Sequence, residues 1–181
     1  ALPPKLRWLI LTDNRLTQLP AELGHCQRLQ KLMLAGNQLR ELPDSLAQLH
    51  NLELLRIAAN RLEHLPAWLL QLPRLAWLAF AGNPCSDHEE HLSLARHPHP
   101  PVPREQLALG DLLGQGASGL IHRAEWQVPG QPARSMAVKL FKGAVTSDGL
   151  PHSEMAACLS AGRHPQLLPV IGPLQAQEGE P

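Results

Sequence analysis

Asn14, Asn37, Asn60 and Asn83 recur every 23 residues, and the leucines keep register with them. The first unit reads Leu6-x-x-Leu9-x-Leu11-x-x-Asn14-x-Leu16-x-x-Leu19-Pro20-x-x-Leu23. The second runs through Leu29, Leu32, Leu34, Asn37, Leu39, Leu42, Pro43 and Leu46, and the third through Leu52, Leu55, Ile57, Asn60, Leu62, Leu65, Pro66 and Leu69. A fourth opens with Leu75, Leu78, Phe80 and Asn83 and breaks at Pro84. This period leaves few folds open, because one such unit cannot bury its own apolar side and must stack on its neighbours. Each unit is expected to give a short strand, a turn, and a helical or 3-10 return that starts at the Leu-Pro step. The asparagine amide would satisfy turn backbone groups that no ladder partner reaches.

The pattern resembles the leucine-rich repeat family, which implies an α/β solenoid over residues 1–86. Each inward leucine contributes about 1.5–3 kcal/mol when fully buried, so three units and a fraction hold a modest core. The outward strand positions alternate with the leucines. They are Trp8, Ile10 and Thr12, then Lys31, Met33 and Ala35, then Leu54, Arg56 and Ala58, then Trp77 and Ala79. Of these, Trp8, Ile10, Lys31, Met33, Leu54, Arg56 and Trp77 form a candidate protein-binding strip, apolar, with a tryptophan near each end and two cations between. The alternative is a strip left bare because its cover lies outside the chain.

Composition narrows the class. Sixteen basic and sixteen acidic residues cancel, so no basic face points to nucleic acid. Cys26, Cys85 and Cys158 are far apart without CxxC spacing, which fits a reducing compartment better than a disulfide framework. No apolar run nears the ~18 residues that span a bilayer, and no signal sequence opens the chain. A cytoplasmic protein is expected. Pro3-Pro4-Lys5 falls where a preceding repeat would end, so the chain reads as an internal piece of a longer protein.

From Pro84 the leucine register is lost. Asp87-His88-Glu89-Glu90-His91 has the spacing of a metal pair, with His97 and His99 nearby, but it runs into the stiff segment His97-Pro98-His99-Pro100-Pro101-Val102-Pro103. The expectation is no metal, and a helical end-cap followed by a linker over residues 87–104.

The second half carries Gly114-Gln115-Gly116-Ala117-Ser118-Gly119. A dinucleotide fold would open a helix here and place an acid about twenty residues on. Instead Val128-Pro129-Gly130 breaks the chain soon after, and Lys139, one of four lysines, arrives twenty residues after Gly119. A phosphate loop of the Gly-Lys-Ser/Thr type is excluded because no lysine closes the run. The glycines are therefore expected between two strands.

With Met136-Ala137-Val138-Lys139, Glu154 and His164-Pro165 in that order, residues 105–181 resemble the small lobe of the eukaryotic-type protein kinases. The resemblance implies an α+β lobe, truncated before its hinge. It implies that Leu113, Gly114, Gln115, Gly116, Ala117, Ser118, Gly119 and Ile121 form a glycine loop over ATP, with Ile121 and Ala137 roofing the adenine. By the same resemblance, Lys139 pairs with the phosphates and with Glu154, on a helix that Gly162 ends. Leu167-Leu168-Pro169-Val170-Ile171-Gly172 reads as the next strand. Ser118 departs from the aromatic many relatives carry at the loop tip, and the connection from Lys139 to Glu154 is short.

The implied whole is a cytoplasmic, serine/threonine-directed protein kinase using ATP and Mg2+, whose metal ligands are expected beyond Pro181. Its partners would be a protein on the concave repeat face and a protein substrate, and this stretch alone is expected to be inactive. The alternative is a non-catalytic leucine-rich-repeat scaffold with a degenerate kinase domain.

Overall fold

The computed structural model describes residues 3, 5–96, 99–116, 118–143, 145–146, 148–162 and 164–175. The chain forms two compact units, one of residues 1–91 with 145–154 and one of residues 92–144 with 155–181.

In the first unit, β1 (Trp8–Ile10), β2 (Lys31–Met33), β3 (Leu54–Arg56) and β4 (Trp77–Ala79) make a parallel sheet in chain order. The pairing advances by one repeat each time, Trp8 to Lys31 to Leu54 to Trp77, so the sequence period becomes the register. Each of the three complete repeats returns through a 3-10 helix, at Ala21–His25, Asp44–Gln48 and Ala67–Gln71. Pro20, Pro43 and Pro66 precede these with φ near −70°, −65° and −68°, the value that the proline ring imposes. Leu32, Leu34, Leu39, Leu46, Leu49, Leu55, Ile57 and Leu62 lie in one continuous buried core. At Pro84 the repeat gives way to helix α1 (Pro84–Arg96), with proline at its first position, where a missing N–H costs nothing.

The asparagines stitch one repeat to the one before. Asn37 Oδ1 accepts the Leu16 N–H at 3.0 Å, and its Nδ2 donates to the Leu11 and Leu34 carbonyls at 2.9 Å each. Asn60 and Asn83 repeat the motif toward Leu39 and Leu62. The residue before each asparagine takes a left-handed backbone: Asp13 at φ 57°, Gly36 at 71°, Ala59 at 50° and Gly82 at 70°. Ala59 is the misfit, because a Cβ is disfavoured there. Ala59→Gly is expected to stabilise the unit by about 0.5–1 kcal/mol, the relief of left-handed strain exceeding the entropy glycine adds to the unfolded chain. The check is the urea midpoint, which should rise.

In the second unit, β5 (Leu107–Gln115), β6 (Gly119–Trp126) and β7 (Arg134–Phe141) form an antiparallel sheet in that order. The β6–β7 turn is closed by the Gln131 N–H donating to the Val128 carbonyl at 3.0 Å, with Pro129 second and Gly130 third at φ 77°. Helix α2 (Pro151–Ser160) begins in the first unit and continues into the second. The strand expected over residues 167–172 does not form. Pro169 lacks an N–H and Pro173 follows the segment, Leu168 is 92% exposed, and among the described residues the pairing nearby is a parallel bridge between Val102 and Leu174.

Candidate functional site

Two surfaces bring the singled-out residues together. On the repeat sheet, the rows Trp8, Lys31, Leu54, Trp77 and Ile10, Met33, Arg56, Ala79 face outward, while Leu32 and Leu55 between them are fully buried. Trp8, Ile10 and Trp77 are exposed at 57%, 59% and 53%, an unusual amount of apolar area for strand residues. Lys31 Nζ sits 4.2 Å over the Trp8 ring, and Arg56 Cζ lies 5.7 Å from the Trp77 ring. Each tryptophan thus holds a cation over its face, a contact worth about 0.5–1 kcal/mol at exposed sites.

The outward positions differ from a uniformly open strip in one respect. Ala35 and Ala58 are fully buried and Ala79 nearly so. Residues from the β7–α2 connection lie against that end of the sheet. A Cβ on Gly36 would stand 3.2 Å from Val145 Cγ1, and one on Gly149 would stand 3.2 Å from the Ala81 methyl. A Cβ on Gly82 would meet Leu150 Cγ at 2.8 Å, so glycine at 82 serves both its left-handed backbone and this close approach. Arg56 Nε and Asp148 Oδ1 form an ion pair at 2.9 Å. No sequence signal pointed to this packing, because it joins residues roughly 70 to 110 positions apart.

Glu90 on α1 clamps the last repeat turn to the start of α2. Its Oε1 accepts the Gly82 N–H at 2.9 Å and the Ser86 hydroxyl at 2.6 Å, and Oε2 faces His152 Nε2 at 3.7 Å. Asp87, Glu90 and His152 place their ligand-type atoms within 4.8 Å of one another, so the acidic run at the junction has a partner that its local spacing did not reveal. Burial pushes the Glu90 carboxyl up, but the hydrogen bonds from the Ser86 hydroxyl and the Gly82 N–H, with Ser153 and His152 alongside, outweigh it and hold the pKa below the ordinary value. The stability Glu90 contributes is therefore complete above the unfolded-state pKa of about 4.3 and is lost as pH falls through the folded value. Glu90→Gln should melt below the parent at pH 7, with the gap closing below about pH 4; a pH-independent gap would refute the clamp. Burial, as the main cause, raises the pKa of the neighbouring Cys85 thiol, so little reactive thiolate forms there.

On the second unit's sheet, the glycine run lies in the β5–β6 hairpin, between strands. The Gly116 N–H donates to the Gly119 carbonyl at 2.9 Å, and the Lys142 N–H to the Ser118 carbonyl at 3.1 Å. Lys142 Nζ donates to the Gly116 carbonyl at 3.2 Å. Gly114 pairs with Ile121, Ile121 with Lys139, and Arg123 with Ala137, so Ile121, Ala137 and Lys139 share one exposed face. Lys139 Nζ lies 4.9 Å from the Phe141 ring centre.

The three glycines have different reasons. A Cβ on Gly119 would meet the Leu140 carbonyl oxygen at 2.5 Å, so strand pairing alone demands glycine there. A Cβ on Gly114 or Gly116 would meet nothing within 4 Å, so packing does not explain them. Leu113 is exposed and Gln115 pairs with Leu120, across from the loop. Ala117 lies outside the described residues. Glu154 occupies the first turn of α2, within the first unit.

The parallel ladder, the 3-10 returns and the asparagine stitching give the first unit the architecture of a repeat solenoid, like that of leucine-rich-repeat proteins. The leucine rich repeat family profile matches residues 4–62 and 27–84. Among solved structures the chain is similar to a leucine-rich-repeat protein of Leptospira interrogans, at 38% identity and a TM-score of 0.43, over 44% of this chain and 20% of that one. The chain thus spans about a fifth of that protein's length. No curated protein sequence matches the chain. Among the described residues, no helix is long and apolar enough to cross a membrane.

Proposed function

We propose that this chain joins a protein-recognition solenoid to the nucleotide-binding lobe of a protein kinase, serine/threonine-directed and acting in signal transduction. The observation that carries the reading is the open face of β5–β7. There a cationic side chain, Lys139, lies directly across from Ile121 and two residues from Ala137, beside a hairpin with two glycines that packing does not require. Apolar side chains beside a cation suit a nucleotide, whose base is flat and whose phosphates are anionic. Glycines without packing neighbours let a backbone close over phosphate oxygens. ATP would supply the transferable phosphoryl group and would arrive with Mg2+. Glu154 is the proposed ion-pair partner of Lys139.

A second reading, a scaffold whose sheet is only an interaction surface, has one observation in its favour. Leu109, Leu112 and Leu113 are all exposed on β5, an apolar strip of the kind that docks partners. Titration of the full-length protein with MgATP separates the two. Saturable binding that Lys139→Met removes supports the kinase reading, and no binding at millimolar nucleotide leaves the scaffold.

A further inference from the structure

The repeat face is covered unevenly, and what covers it is chemically specific. Trp8 and Ile10 at one end and Trp77 at the other are more than half exposed, yet Ala35 and Ala58 on the same outward side are fully buried. The cover consists of Val145 and Leu150, which meet Gly36 and Gly82, with Asp148 between them on Arg56. The turn that presents Asp148 is self-contained: the Thr146 N–H and hydroxyl both donate to the Gly149 carbonyl, at 2.7 and 2.8 Å. This element is an acidic residue flanked by apolar ones, held in a tight turn, and it sits on a cation that an aromatic ring also faces. It has the form of a ligand.

We propose that the Arg56 end of the strand face is a recognition site for an acidic protein segment, occupied here by the chain's own Val145, Thr146 and Asp148–Glu154 as an internal ligand. The proposal rests on the reading of the solenoid as a protein-recognition unit and identifies what that unit recognises. Charge complementarity sets the occupant's chemistry: Arg56 needs an anion, and its planar group suits a carboxylate. The Asp148 side chain is 48% exposed, so its ion pair is held weakly enough for a competing carboxylate to replace it. The same element runs directly into α2, whose first turn carries His152 and Ser153 against Glu90. A partner that displaces Asp148 therefore pulls on the start of the helix that bears Glu154, which links recognition to the placement of that glutamate.

Hydrogen exchange and peptide binding on the full chain test this together. In Arg56→Glu, amides of residues 145–154 should exchange at least about tenfold faster, while those of the central repeats stay as in the parent. The double variant Arg56→Glu with Asp148→Arg should restore protection, which a merely misfolded single variant would not allow. A fluorescein-labelled peptide of residues 143–154 should bind Asp148→Ala at least about fivefold more tightly than the parent, and Arg56→Glu more weakly than either. Unchanged exchange in Arg56→Glu, or equal peptide binding by Asp148→Ala and Arg56→Glu, would overturn the proposal. Neither readout involves nucleotide, so failure to bind MgATP would defeat the kinase reading and leave this one standing.

Discussion

On the proposed kinase reading, Lys139→Met in the full-length protein is expected to lower phosphotransfer by at least about 100-fold, the scale seen when one preorganised electrostatic contact to the reacting group is lost. Stability should barely change. Lys139 is exposed on β7, and its contact with the Phe141 ring is worth about 0.5–1 kcal/mol in such a setting. Methionine keeps the unbranched stem, so the packing of that stem beside Gly119 survives while the charge goes. Activity and melting temperature should therefore separate: one collapses and the other holds. Retained activity would remove Lys139 from the nucleotide site, and a large fall in melting temperature would make its role structural.

The second large effect belongs to the solenoid. Asn60→Ala should destabilise the first unit by about 1–3 kcal/mol, since it strips the buried Leu39 N–H of its partner and removes one of the bonds held by the Leu34, Ile57 and Ala58 carbonyls. The Asn60 amide accepts from the Leu39 N–H at 3.0 Å and donates to the Leu34, Ile57 and Ala58 carbonyls at 2.9, 3.0 and 3.1 Å. Alanine can replace none of these. Asn14 is the internal control. Its amide reaches the Leu11 and Thr12 carbonyls in an exposed setting, where water substitutes, so Asn14→Ala should cost less than about 1 kcal/mol. Denaturant midpoints of the two variants give the comparison, and equal losses would show that the asparagines do not act by bridging repeats.

The repeat half was legible because its information is periodic. A large apolar residue at each core position, nearly always leucine, and an asparagine at each of four turns repeat one structural demand, so the register, the helical or 3-10 returns and the end at Pro84 follow from spacing. The glycine hairpin was legible for a different reason. Pro129-Gly130 so soon after the loop leaves no room for a helix, which forces strands on both sides of the glycines. The strand expected at 167–172 does not form because Pro169, in its middle, has no N–H to donate to a ladder and Pro173 follows directly on its end.

The sequence by itself determined the solenoid, its period and which side of each strand faces the core, and it placed the glycine run between two strands. Only the tertiary structure decided that Asp148 pairs with Arg56, that His152 meets Glu90, and that Ala35 and Ala58 are covered rather than open. The division has a physical cause. Repeats and strand pairs are specified by local alternation and nearest-neighbour stacking, which spacing records. A contact between residues ninety positions apart depends on shape and charge that come together only after both elements have folded.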